Sequence, residues 1–342
     1  MGEKEEATGF PLPEIRRDAL SGAWSVLATG RSRRPGAAPS ASPQQACPFC
    51  PGNEALTPPE VWSAGREEGP PDSPGWRIRV VPNLYPALVP EAGKRGWRRG
   101  GRVGMPARGD HEVIIHSPHH GLSLGEMDAR EATGLLGAWQ ARFRHFADMP
   151  HVRYVQIIVN HKREAGASLE HPHTQVFALP LVPRGVRDEL RESRRRGEGC
   201  PLCKEAEEAA ADGRVAAEGE GWVAFMPYAS RSPFEMRFAP LIHGPDFASA
   251  GEGALQGLAE VLTRSLGALS RLLANPAYNL WLHTAPCDGR DYHYYHWHLE
   301  MVPRVIVSAG FELATGMYLN VMDPLEAARQ LRLMQEEEGR NP

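Results

Sequence analysis

The stretch HPHTQVFAL at 171–179 recurs as HWHLEMVPR at 296–304. Both copies open on two histidines two positions apart and run on as alternating or β-branched residues, the pattern of strands. Residues two apart on a strand project to the same side. His171, His173 and Gln175 therefore share one row, and His296, His298 and Glu300 another. Working outward, the same order of features precedes each copy. CPFC at 47–50 is followed by WRIRVVPNLYPAL at 76–88 and HEVIIHSPHH at 111–120; CPLC at 200–203 is followed by WVAFMPYASRSP at 222–233 and FEMRFAPLIH at 234–243. Laid ungapped, the last pair sets Glu112 over Glu235 and His120 over His243. The chain is thus a long-period repeat.

Between the paired histidines, Leu135, Trp139, Phe143 and Phe146 recur at spacings of three and four, which predicts a helix. YVQIIVNHK at 154–162 and HTQVFALPLVP at 173–183 predict two strands, repeated as YNLWLHTAP at 278–286 and YYHWHLEMV at 294–302. Each half is then strands, helix, strands: an α+β chain of two antiparallel-sheet halves with packed helices. We expect an N-terminal domain at 1–186, a charged linker RDELRESRRRGEG at 187–199 with helix at its start, and a C-terminal domain at 200–342. The first half is longer between its cysteines and its first paired histidine. The surplus is a loop that includes GKRGWRRGGRVG at 93–104, either a phosphate contact or a solvated excursion.

A chain of 342 residues suits two domains, and 42% hydrophobic with 23% charged residues is the composition of a globular protein. The formal net charge of −4 argues against a nucleic-acid partner, and no apolar run resembles a signal peptide or a membrane span. A cytoplasmic location is expected. Four of the five cysteines form two CPxC pairs, and one such pair alone is ambiguous between metal, redox chemistry and chance. Two thiolates and two imidazoles make a four-coordinate zinc site, and the repeat supplies that set twice: Cys47, Cys50, His120 and His171, then Cys200, Cys203, His243 and His296. With every position filled by protein, both metals are structural, and the second is zinc or iron. A zinc-finger nucleic-acid module is disfavoured by the acidity and by the lack of compact finger spacing.

With His171 committed to metal, His173 is left free but held. It is either a nucleophile at phosphorus or merely a second histidine beside a ligand. Gln175 can donate to phosphoryl oxygens without acting as a base. In the second half Glu300 replaces the amide and would repel phosphate, so that half is expected to be non-catalytic, with His298 packed or hydrogen-bonded.

CPFCPGNE, VVPNLYPAL, SPHH, GASLEHPHTQ, ASRSPFEM, HWHLEMVPR and AGFELATGMYLN together resemble the galactose-1-phosphate uridylyltransferase family of the histidine-triad superfamily, across nearly the whole chain. The resemblance implies a duplicated histidine-triad-like fold, a homodimer and ping-pong catalysis through a nucleotidyl-His173. It also implies substrate contacts at Arg31, Arg34, Asn83, Asn160 and Ser168. Glu312 is implied as a sugar-contacting carboxylate, one that reaches the partner subunit's site. The implied reaction is UDP-glucose plus galactose 1-phosphate giving glucose 1-phosphate plus UDP-galactose. Thr174 stands where the best-known members have glycine, and the region around Ile306 and Tyr318 lacks the lysine and glutamine that contact hexose phosphate. The complete second Cys/Cys/His/His set and GFELATGMYLN also resemble ADP-glucose phosphorylases, which pass an adenylyl group to phosphate. A zinc-containing nucleotide-binding protein without turnover is the third reading.

Overall fold

In the computed structural model, which describes residues 11–34, 46–195 and 199–340, the spacing of Leu135, Trp139, Phe143 and Phe146 becomes the buried face of α1 (Ala129–Ala147). Asp128 starts that helix. Its carboxylate accepts from Glu131 N–H while the Glu131 carboxylate accepts from Asp128 N–H, satisfying two donors that the first turn leaves unpaired. Burying the four large apolar side chains contributes roughly 1.5–3 kcal/mol each. The opening MGEKEEATGF and residues 196–198 of the expected linker lie outside the described residues.

In chain order the strands are β1 (Glu14–Arg17), β2 (Trp24–Leu27), β3 (Trp62–Ala64), β4 (Ile78–Pro82), β5 (Trp97–Arg99), β6 (Arg102–Pro106) and β7 (Asp110–Ile115). They continue as β8 (Tyr154–His161), β9 (His173–Leu179), β10 (Val215–Gly219), β11 (Trp222–Phe225), β12 (Met236–Pro240), β13 (Tyr278–His283) and β14 (His298–Pro303). The remaining helices are α2 (Arg184–Arg195), α3 (Pro201–Asp212), α4 (Glu252–Leu272), α5 (Gly310–Thr315) and α6 (Pro324–Arg340). β9 is shorter than the sequence predicts because Pro180 brings no N–H to extend the ladder.

Ten strands form one sheet in the order β10-β11-β12-β14-β13-β8-β9-β7-β4-β3. Counted outward from the centre, each half repeats one order, and the halves meet where β13 pairs antiparallel with β8, Asn279 opposite Asn160. The two antiparallel halves are therefore joined edge to edge, which hides the central edge of each from other chains. One face carries the main core under α1, α4 and α6, including Val155, Val176, Leu280 and Leu299. Gln140 on α1 donates to the carbonyls of Phe247 and Ala250 ahead of α4. Gly125 lets the chain touch α4, since a Cβ there would lie 2.8 Å from the Leu266 carbonyl carbon. The opposite face presents His173, Gln175, His298 and Glu300.

Strand register corrects the ungapped alignment. Val113 lies opposite Gln175, whereas Arg237 lies opposite Glu300, so Glu235 stands where His111 does and the repeat slips by one residue. Glu112 instead faces the helices and binds Arg142 of α1 through two 2.7 Å hydrogen bonds.

Part of the expected loop at 93–104 is a hairpin. Gly100 and Gly101, at φ 52° and 82°, turn β5 into β6 with the left-handed pair that matches strand twist. These strands join β1 and β2 in a four-stranded sheet, β2-β1-β6-β5. It packs on the first half through Ile15, Leu88 and Ala107. The described part of the linker is helical through Arg195. Val186 and Leu190, four apart, bury α2 against Tyr154 and Tyr295, and an apolar pair in so charged a segment gave too weak a periodicity to extend the helix from sequence.

Candidate active site and metal clusters

The CPFC turn is seated on the site face of the sheet by Phe49, which packs with Trp76, Val81, Val113 and Ile115. Its backbone is pinned by neighbours. Asn53 Nδ2 donates to the Cys47 carbonyl at 2.8 Å, and Glu54 accepts from Gly52 N–H at 2.8 Å and from Trp76 Nε1 at 2.9 Å. In the second half, Cys200 caps α3 and Pro201 opens its first turn, where a missing N–H costs nothing.

The ligand-type atoms of Cys47, Cys50, His120 and His171 all lie within 4.8 Å of one another, and so do those of Cys200, Cys203, His243 and His296. Cys50 Sγ is 3.3 Å from His120 Nδ1 and 3.6 Å from His171 Nδ1; Cys203 Sγ is 3.3 Å from His296 Nδ1 and 3.7 Å from His243 Nδ1. His171 Nε2 donates to the Ser117 carbonyl and His243 Nε2 to the His293 carbonyl, turning Nδ1 toward the sulfurs. Both sets are clusters able to hold a metal ion.

His173 is buried, and its Nδ1–H donates to the carbonyl of His171 at 2.9 Å. That bond fixes the tautomer and leaves the Nε2 lone pair free. Burial is the first cause of its lowered pKa, so the ring is neutral and nucleophilic near pH 7. Phe49 packs edge-on at 5.4 Å. Gln175, also buried, has Oε1 3.1 Å from His111 Nε2.

The structure gathers Arg31 and Asn83 around the same histidine. Arg31 Nη1 donates to the Tyr85 carbonyl and lies 3.5 Å from His111 Nδ1; Asn83 Nδ2 lies 3.1 Å from His111 Nε2. Arg34 is near enough to help lower the His111 pKa. Asn160 accepts from Asn279 across the central strand pair at 2.8 Å. Ser168 is half-buried on the β8–β9 loop and makes no side-chain hydrogen bond to a described residue. The Glu312 carboxylate accepts from Ala309 N–H at the start of α5, a local cap that gives no link to the His173 group.

His111 and Phe177, whose rings stack at 4.0 Å, were not singled out from sequence. Nor was a third group on the second half, Glu189, His283 and His298, whose ligand-type atoms also lie within 4.8 Å. Glu189 accepts from His283 at 2.8 Å and from Tyr295 at 2.7 Å. Residues so far apart in the chain carry no motif. His298, the positional partner of His173, stacks on His283 at 4.9 Å. Glu300 is held by Arg231 at 2.6 Å and Arg237 at 2.9 Å, so its row presents paired charges in place of an amide.

Residues 83–183 match the N-terminal domain family of galactose-1-phosphate uridyl transferase. ADP-glucose phosphorylase of Arabidopsis thaliana is 32% identical, covering 94% of this chain and 92% of the relative. Galactose-1-phosphate uridylyltransferase of Thermotoga maritima is 27% identical over 94% of this chain and 98% of its own. A crystal structure of the Arabidopsis ADP-glucose phosphorylase with bound ADP-glucose superposes with TM-score 0.76 at 31% identity, covering 94% of this chain and 98% of that one. A Cys/Cys/His/His cluster able to hold a metal ion on each half of a duplicated antiparallel sheet, with a neutral histidine beside an amide, defines the class. The chain belongs to the galactose-1-phosphate uridylyltransferase family, with an α+β fold built on a duplicated antiparallel sheet. Among the described residues no helix is long and apolar enough to cross a membrane.

Proposed function

We propose that this chain is a nucleotidyltransferase in which His173 carries the nucleotidyl group. The observation that carries the reading is the 2.9 Å bond from His173 Nδ1 to the His171 carbonyl, which aims a neutral Nε2 outward from a metal-tethered strand. Nε2 attacks the α-phosphorus of a nucleotide sugar, the bond from that phosphorus to the bridging oxygen breaks, and sugar 1-phosphate leaves. An acceptor phosphate oxygen then attacks the same phosphorus and the P–N bond breaks, restoring the imidazole. Gln175 stabilises charge on the phosphoryl oxygens, and Arg31, Arg34, Asn83, Asn160 and Ser168 contact the nucleotide.

For the donor, we favour ADP-glucose with inorganic phosphate as acceptor. Supporting this are the 32% identity to the Arabidopsis ADP-glucose phosphorylase, the complete second Cys/Cys/His/His set, and the absence of lysine and glutamine around Ile306 and Tyr318. Uridylyl transfer from UDP-glucose to galactose 1-phosphate is the second reading, supported by the matched uridyl transferase domain and the Thermotoga maritima relative. Steady-state assays with ADP-glucose plus phosphate and with UDP-glucose plus galactose 1-phosphate separate them. Turnover of ADP-glucose supports the first, turnover of the UDP-glucose pair moves the assignment to the second, and turnover of neither, by a metal-loaded protein, contradicts both.

Both metal clusters are assigned to zinc in a structural role. Zinc bonds of about 2.3 Å to sulfur and about 2.0 Å to nitrogen in a tetrahedron give S···N edges of about 3.5 Å; the Cys47–His171, Cys50–His120, Cys50–His171, Cys200–His296, Cys203–His243 and Cys203–His296 edges run from 3.3 to 3.7 Å. A homodimer is also proposed. Val307, Leu313 and Val321 are more than 80% exposed along 305–321, beside exposed Phe311, Met317, Tyr318 and Leu319, and an apolar segment of that length fits a second copy, with Glu312 on it. A monomeric mass by light scattering at micromolar concentration would contradict this.

A further inference from the structure

We infer that His111 is a positioning residue that fixes the Gln175 side chain so that its amide N–H groups face the phosphoryl site beside His173. The inference rests on the reading of His173 as nucleotidyl carrier. It starts from register: β7 and β9 set Val113 opposite Gln175, and His111 is the next residue along the same face, its ring stacked on Phe177.

The His111 ring nitrogens are not interchangeable. Nδ1 lies 3.1 Å from the backbone N–H of Ala87 and 3.5 Å from Arg31 Nη1, both of which can only donate. Nδ1 must therefore present its lone pair, and the single proton of the neutral ring sits on Nε2. A second proton would point at the same two donors. Burial first, and then Arg31, push the His111 pKa down to about 3, so this tautomer persists through the neutral range. Nε2–H then donates to Gln175 Oε1 at 3.1 Å. A flipped Gln175 would set an NH2 group against that N–H, so the amide has one orientation.

Gln175 Nε2 has no protein acceptor among the described residues, and it projects from the same strand face as His173, two residues away. Its donors remain for phosphoryl oxygens. Asn83 Nδ2 lies 3.1 Å from the same His111 Nε2, but Tyr85 N–H donates to Asn83 Oδ1 at 2.9 Å and leaves only the NH2 group facing the ring, so the Nε2 proton goes to Gln175 Oε1, the acceptor beside it, and Asn83 makes no hydrogen bond to it. The second half provides an internal comparison. There the same two register positions hold Glu235 and Glu300, bridged by Arg231 at 2.6 Å to each. The fold couples this pair of positions in both halves, but only beside His173 does the coupling orient an amide.

The test is a double-mutant cycle on the single-turnover rate of nucleotidyl-His173 formation at saturating donor. His111→Leu is expected to slow labelling roughly tenfold or more in the otherwise native chain and less than twofold in the Gln175→Ala background, with metal content unchanged. His111→Gln, which keeps an N–H donor, should recover most of the rate. Equal slowing in both backgrounds, or no recovery with glutamine, overturns the inference. A second measurement is independent of turnover: 15N NMR of histidine-labelled protein should show His111 protonated at Nε2 only, from pH 8 to pH 5. An Nδ1–H tautomer or an imidazolium in that range overturns it too. If the native chain takes no label from any nucleotide sugar, the His173 reading fails separately, and the NMR result alone decides the His111–Gln175 bond.

Discussion

Removing the guanidinium at Arg142 should cost far more than removing the whole ion pair it belongs to. Arg142 on α1 donates two 2.7 Å hydrogen bonds to the Glu112 carboxylate on β7, and both side chains are only 8% exposed. Arg142→Met leaves a buried carboxylate with no counter-charge, a loss of about 3–5 kcal/mol. For 342 residues, an unfolding entropy of about 2.1 cal/mol/K per residue makes that a fall of roughly 4–7 °C in Tm. Adding Glu112→Leu should restore most of it, because a dry apolar pair needs no compensation. Burial already raises the Glu112 pKa against the opposing pull of Arg142. Without Arg142 it rises further, so the folded variant favours the protonated acid. Its deficit is therefore largest at high pH and shrinks as pH falls through the raised value. Scanning calorimetry of the single and double variants between pH 8 and pH 5 checks this. A single-variant loss under about 1 °C, or a double variant no better than the single, refutes the reasoning.

Cys50→Ser and Cys203→Ser should each remove one metal equivalent, and elemental analysis should show one remaining in each variant and none in the double variant. Burial pushes the Cys47 and Cys203 thiols up to about 11 and about 12 without metal, so reloading the stripped protein should release protons that a weakly buffered indicator detects. His111 gives a pH signature in stability. Its folded pKa of about 3 lies below an unfolded value of about 6.5, so it stabilises fully above pH 6.5 and loses up to about 1.4 kcal/mol per unit as pH falls toward 3. The stability gap between native and His111→Leu protein, measured by urea titration, should narrow over that window; a constant gap contradicts the buried neutral ring.

The parts that could be seen in the sequence are those written in local spacing. The three-and-four periodicity of α1 and the alternation of His173 with Gln175 on β9 and of His298 with Glu300 on β14 reappear in the structure, and the CxxC pairs reappear beside their histidines; the expected rows are shorter by one residue each, because His171 and His296 precede β9 and β14 in the chain segments that lead into them. Other features depend on contacts between distant segments. Which sheet edges meet was not visible, because Asn160 and Asn279 become neighbours only through the β8–β13 pairing. The one-residue slip between repeats shows only in strand register, since Glu112 and Glu235 look alike in the alignment yet face opposite sides. Glu189, His283 and His298 come from three separate elements. His111 is one histidine among four in HEVIIHSPHH, and its distinction lies in the Ala87 N–H aimed at its ring, a backbone donor from another loop that no side-chain pattern announces.

The most direct test of the account is intact-protein mass spectrometry after alkaline quench, with the native chain and His173→Gly each incubated with ADP-glucose or UDP-glucose and no acceptor. The account predicts one nucleotidyl adduct on the native chain, adenylyl on the favoured reading, and none on His173→Gly with its metal content intact. An adduct retained by His173→Gly, or no adduct on the metal-loaded native chain with either donor, would contradict it.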